Sequence, residues 1–424
     1  MLAEGARSSR SGRGRISESE IMKWIEVRAK RQQDEQPCYT SALRFSNAAR
    51  TDHATMTTHA TPASTRRYAK RFAAKAAEGH FREAQGLVFS SLGIGTYLGQ
   101  PDTKTDESYT AAVVAAAEGG INVIDTAINY RLQRSERSIG AAIKQLAAKG
   151  IAREELILCT KGGYLTPDGS MPADPNEYFF REYLQPGVFS AKDIVAGSHC
   201  MTPRYLEDQL GRSLRNLGVD SIDVYYLHNP ETQLSEVLRP DFLERVRDAF
   251  IYLESAAAAE KIQFYGMATW NGFRQEARAR DAMQLGEFAQ IAEDIAGEGH
   301  RFRFVQLPFN LGMTEALTLG NQSLGGRDRT VMEAASELDI TLIASASLLQ
   351  GQVARNLPGF VGEALGLAND AERALQFVRS SPGITVALAG MSRVEHVRAN
   401  ARLVGVPPAT AEEFSKLFTR GESA

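Results

Sequence analysis

The chain has few cysteines, no long apolar run and no strong excess of either charge. Only three of its 424 residues are cysteine, an odd number without metal-type spacing, which favours a reducing compartment such as the cytoplasm. No apolar stretch approaches the roughly 20 residues needed to cross a bilayer, so no membrane association is expected. The net charge of −3 gives no general attraction to nucleic acid. The seven histidines are scattered without paired ligand spacing, so no metal site is predicted.

The sequence divides into a basic first part and a regular second part. Residues 1–85 contain 16 Lys and Arg against 9 Asp and Glu, and they begin with the low-complexity stretch GARSSRSGRGR. This composition predicts a mostly flexible basic N-terminal extension, or a start placed too far upstream with Met56 as the true beginning. Residues 86–424 are expected to form the folded domain.

Eight short apolar segments alternate with helical patterns in the second part. No antiparallel hairpin pattern separates them, so the strands are expected to be parallel, buried on both faces and joined by helical crossovers. This arrangement predicts a (β/α)8 TIM barrel, with a doubly wound open sheet as the alternative. The strand candidates lie in SSLGIGTYL, INVIDTA, LILCTKGG, IDVYYLH, FYGMATW, FRFVQLPFN, TLIASASL and ITVALAG.

Four polar residues follow the second, third and fourth predicted barrel strands. Asp125 and Tyr130 follow INVI, Lys161 ends LILCTK, and His228 ends IDVYYLH. In a parallel barrel the C-terminal ends of all strands open on one mouth, where barrel enzymes place their chemistry. We therefore expect these four side chains to share one site.

A tyrosine beside a lysine, a carboxylate and a histidine can transfer a proton to a carbonyl oxygen. The Tyr130 phenol, with an ordinary pKa near 10, would supply the proton, and the Lys161 ammonium beside it would lower that pKa. Asp125 would pair with Lys161, and His228 would donate a second hydrogen bond to the oxygen. Each residue alone has a structural explanation, as a turn cap, a rim tyrosine, a snorkelling lysine or a strand-end histidine. Their joint placement favours catalysis.

The motifs around these residues resemble those of the aldo-keto reductase superfamily, over roughly residues 87–405. The segment DTAINYRLQRSE resembles the family pattern DTAxxYGxxxSE, with Arg131 where glycine is usual, and LHNP resembles the LHxP motif. The resemblance implies NAD(P)H-dependent reduction of an aldehyde or ketone, or the reverse oxidation. It also implies Tyr130 as the proton donor, supported by Asp125, Lys161 and His228.

The same resemblance implies which residues hold the cofactor at the barrel mouth. On sequence grounds alone LGIGTYLG is a poor dinucleotide fingerprint, because no helix begins at its glycines. NADP is favoured, with NAD as the alternative, because Ser392 and Arg393 present a hydroxyl and a guanidinium suited to a phosphate. The implied cofactor positions are Thr96, Tyr97, Asp125, Thr269, Gln306, Leu348, Gln350, Gly351, Ser392, Arg393, His396 and Asn400.

Two departures from the family pattern concern the nicotinamide. Ala268 and Thr269 stand where a Ser-Asn pair is usual, which weakens or moves a contact to the carboxamide. Ser345 stands where an aromatic side chain often stacks on the ring, and Trp270 or Tyr97 would have to replace it.

A long insertion is predicted after the third barrel strand, over about residues 164–200. It is longer than a helix-and-strand crossover requires, and it contains aromatic residues at 164, 178, 179, 180 and 183. We hypothesise that it folds over the mouth as a lid with apolar walls. The alternatives are a subdomain packed on itself and a contact between oligomer subunits.

The leading functional interpretation is therefore an NADP-dependent carbonyl reductase acting on a small molecule, with homo-oligomer formation left open. A second interpretation is a cofactor-binding sensor or regulatory subunit with little turnover, a class that potassium-channel beta subunits represent on this fold. A third keeps the enzyme but reverses the reaction, as in sugar dehydrogenation. The presence of all four polar residues favours an enzyme.

Overall fold

The computed structural model describes residues 59–418, in which eight parallel strands close into a barrel. The predicted (β/α)8 barrel is confirmed, and the open sheet is excluded. Eight strands of the described residues form the barrel, and four more form two separate hairpins. In chain order the strands are β1 (Phe81–Ala84), β2 (Leu87–Ser90), β3 (Leu92–Gly95), β4 (Val123–Asp125), β5 (Ile157–Gly162), β6 (Ile222–His228), β7 (Ile262–Ala268), β8 (Phe302–Pro308), β9 (Gln322–Leu324), β10 (Arg327–Arg329), β11 (Thr341–Ser345) and β12 (Ile384–Gly390). The hairpins are β1–β2 and β9–β10. The barrel order is β11-β12-β3-β4-β5-β6-β7-β8.

Helices cover the outside of the barrel. They are α1 (Pro62–Arg71), α2 (Thr103–Glu118), α3 (Arg134–Ala148), α4 (Pro175–Phe179), α5 (Pro203–Leu217), α6 (Arg239–Ala258), α7 (Leu285–Ala296), α8 (Glu315–Thr318), α9 (Val331–Glu337), α10 (Gly359–Leu365), α11 (Asp370–Ser380), α12 (Val394–Asn400) and α13 (Ala411–Ser415). In α5, Leu206, Leu210 and Leu217 lie on one buried face, as the helical period requires. Gly218 then ends the helix in the left-handed conformation, with φ +66°.

The apolar core has two layers, because alternate residues of a barrel strand point inward and outward. The inward layer is filled by side chains such as Val123, Val224, Phe264 and Phe304, so the barrel interior is a packed core. The outward layer packs against the helices. Polar chemistry is therefore confined to the ends of the barrel.

The N-terminal end of the barrel is closed by the β1–β2 hairpin and the residues before it. Leu87 and Phe89 join the inward apolar layer, with the Phe89 ring 5.9 Å from that of Phe304. The Ala60 amide donates a 2.6 Å hydrogen bond to the buried Asp223 carboxylate at the start of β6. These contacts form a floor opposite the catalytic mouth.

The folded domain therefore begins before residue 86, the start that the sequence predicts. Thr61 caps α1, and the Tyr68 side chain on that helix is fully buried, with its hydroxyl bonded to the Ala117 carbonyl. The basic composition of residues 1–85 conceals this difference, because α1 carries its Lys and Arg on its exposed face. The rest of the expected extension, residues 1–58, lies outside the described residues.

The predicted insertion after the third barrel strand is confirmed, and it runs between β5 and α5. Its aromatic residues pack mainly on one another: the Tyr183 ring stacks on Phe189 at 5.4 Å, and both contact Tyr205 of α5. This cluster corresponds to the self-packed alternative, whereas Tyr164, at the start of the insertion, contacts His228. Whether the insertion acts as a lid stays a hypothesis. A hairpin that the sequence did not indicate, β9–β10, lies between barrel strands β8 and β11.

Candidate active site

A buried ion pair joins the ends of the adjacent strands β4 and β5. The Lys161 ammonium donates to both carboxylate oxygens of Asp125, at 2.7 and 2.9 Å, and to the Thr126 carbonyl at 2.7 Å. The Gln306 amide nitrogen donates to Asp125 at 2.7 Å. Burial is the largest single effect and would lower the Lys161 pKa, but Asp125, Tyr130 and Cys159 together outweigh it and the pKa is raised. The lysine is therefore a fixed positive charge at the mouth.

Tyr130 lies against this pair, with the centre of its ring 5.1 Å from the Lys161 ammonium. We expected Lys161 to lower the tyrosine pKa. It does act in that direction, but desolvation acts more strongly the other way, and the net pKa is raised above 10. The expected effect of Lys161 is therefore present, but it is smaller than the effect of burial, which the sequence did not indicate. Tyr130 keeps its proton at neutral pH, as a proton donor must.

His228 lies on the other side of Tyr130, with the two rings 5.8 Å apart and edge to face. Burial lowers the His228 pKa well below 6.5, and the Lys161 and His199 charges act in the same direction. The imidazole is therefore neutral at physiological pH. Its Nδ1 atom is buried and has no hydrogen-bond partner among the described residues. The four predicted catalytic residues thus meet at one mouth.

Aromatic rings continue on both sides of this group. The Tyr97 ring contacts Tyr130 at 5.0 Å, and the Tyr164 ring contacts His228 at 5.1 Å and His199 at 5.0 Å. All of these contacts are edge to face, a favoured geometry for aromatic pairs. Tyr97, Tyr130, His228 and Tyr164 therefore form one connected row of rings at the mouth, and the row continues to the buried His199.

Arg131 occupies a backbone position that explains why glycine is usual there. Its φ is +49°, a left-handed conformation that strains a residue with a side chain. The guanidinium is buried, pairs with Asp106 at 2.6 Å, donates to Ser135 and Ser138, and lies over the Tyr109 ring. These contacts hold the strained turn that follows Tyr130.

The Ser-Glu pair of the same motif has a structural role. The Ser135 hydroxyl donates to the Thr96 carbonyl at 2.9 Å, tying the turn to the end of β3. Glu136 is fully buried and accepts hydrogen bonds from Thr160 and Asn216, and its burial raises its pKa. Both residues therefore brace the loops around the site without reaching the mouth.

The residues expected at the nicotinamide fit a carboxamide group. The Thr269 hydroxyl is buried with no partner among the described residues, and the Thr269 amide donates to the Gln306 carbonyl. The Gln306 side chain directs its amide nitrogen to Asp125, which leaves an amide oxygen as an acceptor. Thr96 differs from expectation, because its hydroxyl is fully buried and donates to the Asp125 carbonyl. It supports Asp125 from within the wall.

The remaining expected cofactor positions lie after β12, which adjoins β3 in the barrel, and after β11, the next strand along. After β11 the loop turns through left-handed residues, including Gln350 at φ +53° and Gly351 at φ +87°, beside Leu348. After β12, Ser392 and Arg393 precede α12, where Arg393 and His396 are exposed and Asn400 is buried. The ligand contacts of all these positions stay predictions.

Some residues at the site were not found from the sequence. Glu231 accepts hydrogen bonds from the Trp270 and Asn271 amides at 2.7 and 3.0 Å, which fixes the loop that presents the exposed Trp270 ring. His199 and Gln233 lie beneath His228. Their contacts join distant parts of the chain, so a single sequence carries no local signal for them. In residues 59–418 no three His, Cys, Asp or Glu side chains could hold a metal ion, and no helix is long and apolar enough to span a bilayer.

The sequence matches the aldo/keto reductase family over residues 91–356. The chain belongs to this family. This confirms the resemblance seen in the motifs, and family membership supports an oxidoreductase acting on carbonyl compounds in general terms.

Similar proteins include enzymes and channel subunits. An uncharacterized oxidoreductase of Schizosaccharomyces pombe is 23% identical, over 80% of this chain and 88% of that protein. A D-threo-aldose 1-dehydrogenase of Pseudomonas is 28% identical, over 51% of this chain and 62% of that protein. A probable voltage-gated potassium channel subunit beta of Arabidopsis thaliana is 25% identical, over 76% and 90%.

The fold is also that of solved aldo-keto reductases. A crystal structure from Klebsiella pneumoniae in complex with NADP and acetate matches with a TM-score of 0.54 at 18% identity, over 80% of this chain and 94% of that chain. The holo form of an aldo-keto reductase from Bacillus halodurans matches with a TM-score of 0.54 at 20% identity, over the same shares.

Proposed function

We propose that this chain is an NADP-dependent oxidoreductase that reduces an aldehyde or ketone to an alcohol, or catalyses the reverse reaction. The observation that carries the proposal is the juxtaposition of a protonated tyrosine, Tyr130, with the buried Lys161–Asp125 pair and a neutral histidine, His228. A structural ion pair alone would need neither the tyrosine nor the histidine beside it.

The residues of the chain provide the proton transfer and its electrostatic support. The chemistry that a bound nicotinamide would supply is hydride transfer to the carbonyl carbon, or from the alcohol in the reverse reaction. Tyr130 donates its hydroxyl proton to the carbonyl oxygen as negative charge develops there. The Lys161 ammonium stabilises the phenolate that is left, and Asp125 balances the buried positive charge. Neutral His228 provides a second hydrogen bond to the oxygen and orients the substrate.

Cofactor binding is proposed for the rim residues described above. Gln306 and Thr269 would hold the carboxamide, the loop at Leu348 to Gly351 would follow the pyrophosphate, and Ser392 and Arg393 would hold the 2′-phosphate. The NADP named in the Klebsiella pneumoniae structure supports the choice of NADP over NAD. The exposed guanidinium of Arg393 supports it as well.

The test is NADPH oxidation, followed by absorbance, with a panel of aldehydes and ketones. Tyr130→Phe should keep cofactor affinity and lose roughly 10²–10⁴-fold in kcat, the usual contribution of a general acid. Tyr265→Phe is the matched control, because it removes a hydroxyl that bonds Glu254 away from the site. Equal kcat in Tyr130→Phe and the parent protein would remove Tyr130 from this role.

A regulatory subunit is the second candidate, favoured by the similarity to proteins named as potassium channel beta subunits. It predicts tight NADPH binding without turnover on any carbonyl. The similarity to an aldose dehydrogenase makes oxidation the direction to test alongside reduction, with NADP and sugars as reactants.

A further inference from the structure

The hydrogen-bond ladder between β5 and β6 ends just before His228. The last paired residues are Gly162 and Leu227, and beyond them Gly163 turns away with φ +150°. The His228 carbonyl therefore lacks an amide donor from the β5 side. The His199 imidazole, at the end of the insertion, donates to this carbonyl from Nε2 at 2.8 Å. The His199 side-chain N–H therefore replaces the backbone amide that would pair with the His228 carbonyl if the β5–β6 hydrogen bonding continued.

The hydrogen bonds around His199 select a single tautomer. Because a carbonyl only accepts, Nε2 must carry the hydrogen, and Nδ1 is left to accept from the Gln233 amide at 2.7 Å. The Gln233 amide oxygen in turn accepts from Arg245. Burial lowers the His199 pKa to about 4, which keeps the ring neutral. His199 and Gln233 are both fully enclosed.

The surrounding residues are fitted to this contact. A Cβ atom at Gly163 would lie 2.9 Å from His199 Nε2 and 3.0 Å from the His228 carbonyl, so only glycine leaves the space free. The Tyr164 ring packs on both histidines. Its hydroxyl accepts from the Asn229 side chain at 3.2 Å. Asn229 itself is left-handed, with φ +47°, a strained conformation that neighbouring contacts must hold.

We propose that His199 is a positioning residue for His228. Its N–H fixes the His228 carbonyl at the point where the strand gives way to a strained turn, and so fixes the direction from which the His228 imidazole enters the mouth. The insertion thereby takes part in the site from beneath rather than as a cover. The effect on turnover rests on the proposed function, whereas the effect on the His228 ring does not.

Three variants separate positioning from general stability. His199→Phe keeps a ring for Tyr164 to pack on but removes both hydrogen bonds. His199→Gln restores a donor at a similar reach. Phe189→Leu is the control, because it disturbs the core of the insertion without touching His228. Should His199→Phe fail to fold, Gln233→Leu keeps the imidazole and removes the hydrogen bond to its Nδ1 atom, together with the Gln233 contacts to the His199 carbonyl and to Arg245.

The expected kinetic result is a loss in kcat with little change in cofactor affinity. His199→Phe should lower kcat by about 10- to 100-fold, because small misplacements of catalytic groups have effects of this size. The dissociation constant for NADPH should stay within about twofold of the parent value, and His199→Gln should recover most of the loss. A Phe189→Leu variant that reproduces the kcat loss would overturn the proposal.

The second readout is nitrogen-15 NMR of the histidine rings, which needs no substrate. In the parent protein His199 should show a protonated Nε2 and a bare Nδ1. The His228 ring signals should shift or broaden in His199→Phe, or in Gln233→Leu where that variant is used, and return toward the parent in His199→Gln. Unchanged His228 signals in His199→Phe would overturn the proposal. If the parent protein reduces no carbonyl, the proposed function fails and this measurement still decides the role of His199.

Discussion

The Lys161 ammonium bonds both carboxylate oxygens of Asp125 inside the barrel wall, where each side chain is almost completely shielded from water. Two opposite charges taken out of water are stable only as a pair, because each one alone bears the full desolvation cost. The pair is therefore a structural element as well as part of the proposed catalytic group.

Replacing Lys161 by Met should therefore damage stability and turnover together. The orphaned Asp125 carboxylate should lower the free energy of unfolding by about 3–5 kcal/mol, measured by urea denaturation. Lys149→Met is the control, since Lys149 pairs with Glu118 on the half-exposed surface, and it should cost less than about 1 kcal/mol. Equal losses in the two variants would contradict this assignment.

Arg131 offers a test of backbone strain at the turn after Tyr130. Arg131→Ala and Arg131→Gly both remove the pairing with Asp106, but only glycine adopts φ +49° without steric cost. The glycine variant should be about 1 kcal/mol more stable than the alanine variant, the usual size of the left-handed penalty. Urea denaturation of the two variants gives this difference directly, and a more stable alanine variant would refute the argument.

The buried histidines should make the fold sensitive to acid. Burial lowers the His80 pKa from 6.5 to about 4. Between about pH 6.5 and 4, His80 therefore binds a proton in the unfolded chain but stays neutral in the folded protein. The free energy of unfolding should therefore fall as the pH drops from about 6.5 to 4, by about 3 kcal/mol for this one group. Thermal or urea unfolding across this range measures the slope.

His80→Gln should flatten that slope even if the variant is less stable at pH 7. The matched control is His396→Gln, because the His396 ring is exposed on α12. A slope that is the same in His80→Gln and the parent protein would show that His80 does not contribute to the acid sensitivity.

Arg393 tests the choice between the two cofactors. Arg393→Ala should raise the dissociation constant for NADPH about tenfold or more and leave that for NADH nearly unchanged, because only NADPH carries the 2′-phosphate. Fluorescence titration with each cofactor measures both constants. Arg398→Ala, an exposed arginine later in α12, is the control. Equal weakening for both cofactors would place Arg393 elsewhere in the site.

The barrel and its catalytic group could be predicted from the sequence because the signals are local. Each strand is a short apolar run, and the register of a closed parallel barrel brings the strand ends to one mouth. Asp125, Lys161 and His228 therefore meet without any further information.

Other features depend on quantities that a sequence does not state. Burial raises the Tyr130 pKa and Lys161 lowers it. The direction of the net shift depends on how deeply the side chain is buried, which only the packed structure reveals. The contact between His199 and His228 spans 29 positions and runs through an irregular insertion. The Ala60 contact with Asp223 spans 163 positions, so the composition around residue 60 gives no sign of it.

The closed floor of the barrel has a practical consequence for producing the protein. A clone trimmed at residue 86, where the composition changes, would remove α1 with its buried Tyr68, and β1, the pairing partner of β2. The apolar surface that these elements cover would then face solvent, and the strand that carries Leu87 and Phe89 beneath Phe304 would lose its support. Such a product should aggregate during expression, because uncovered apolar patches of this kind drive association. A clone that begins before residue 59 keeps α1, the β1–β2 hairpin and Ala60, so the N-terminal end of the barrel stays closed.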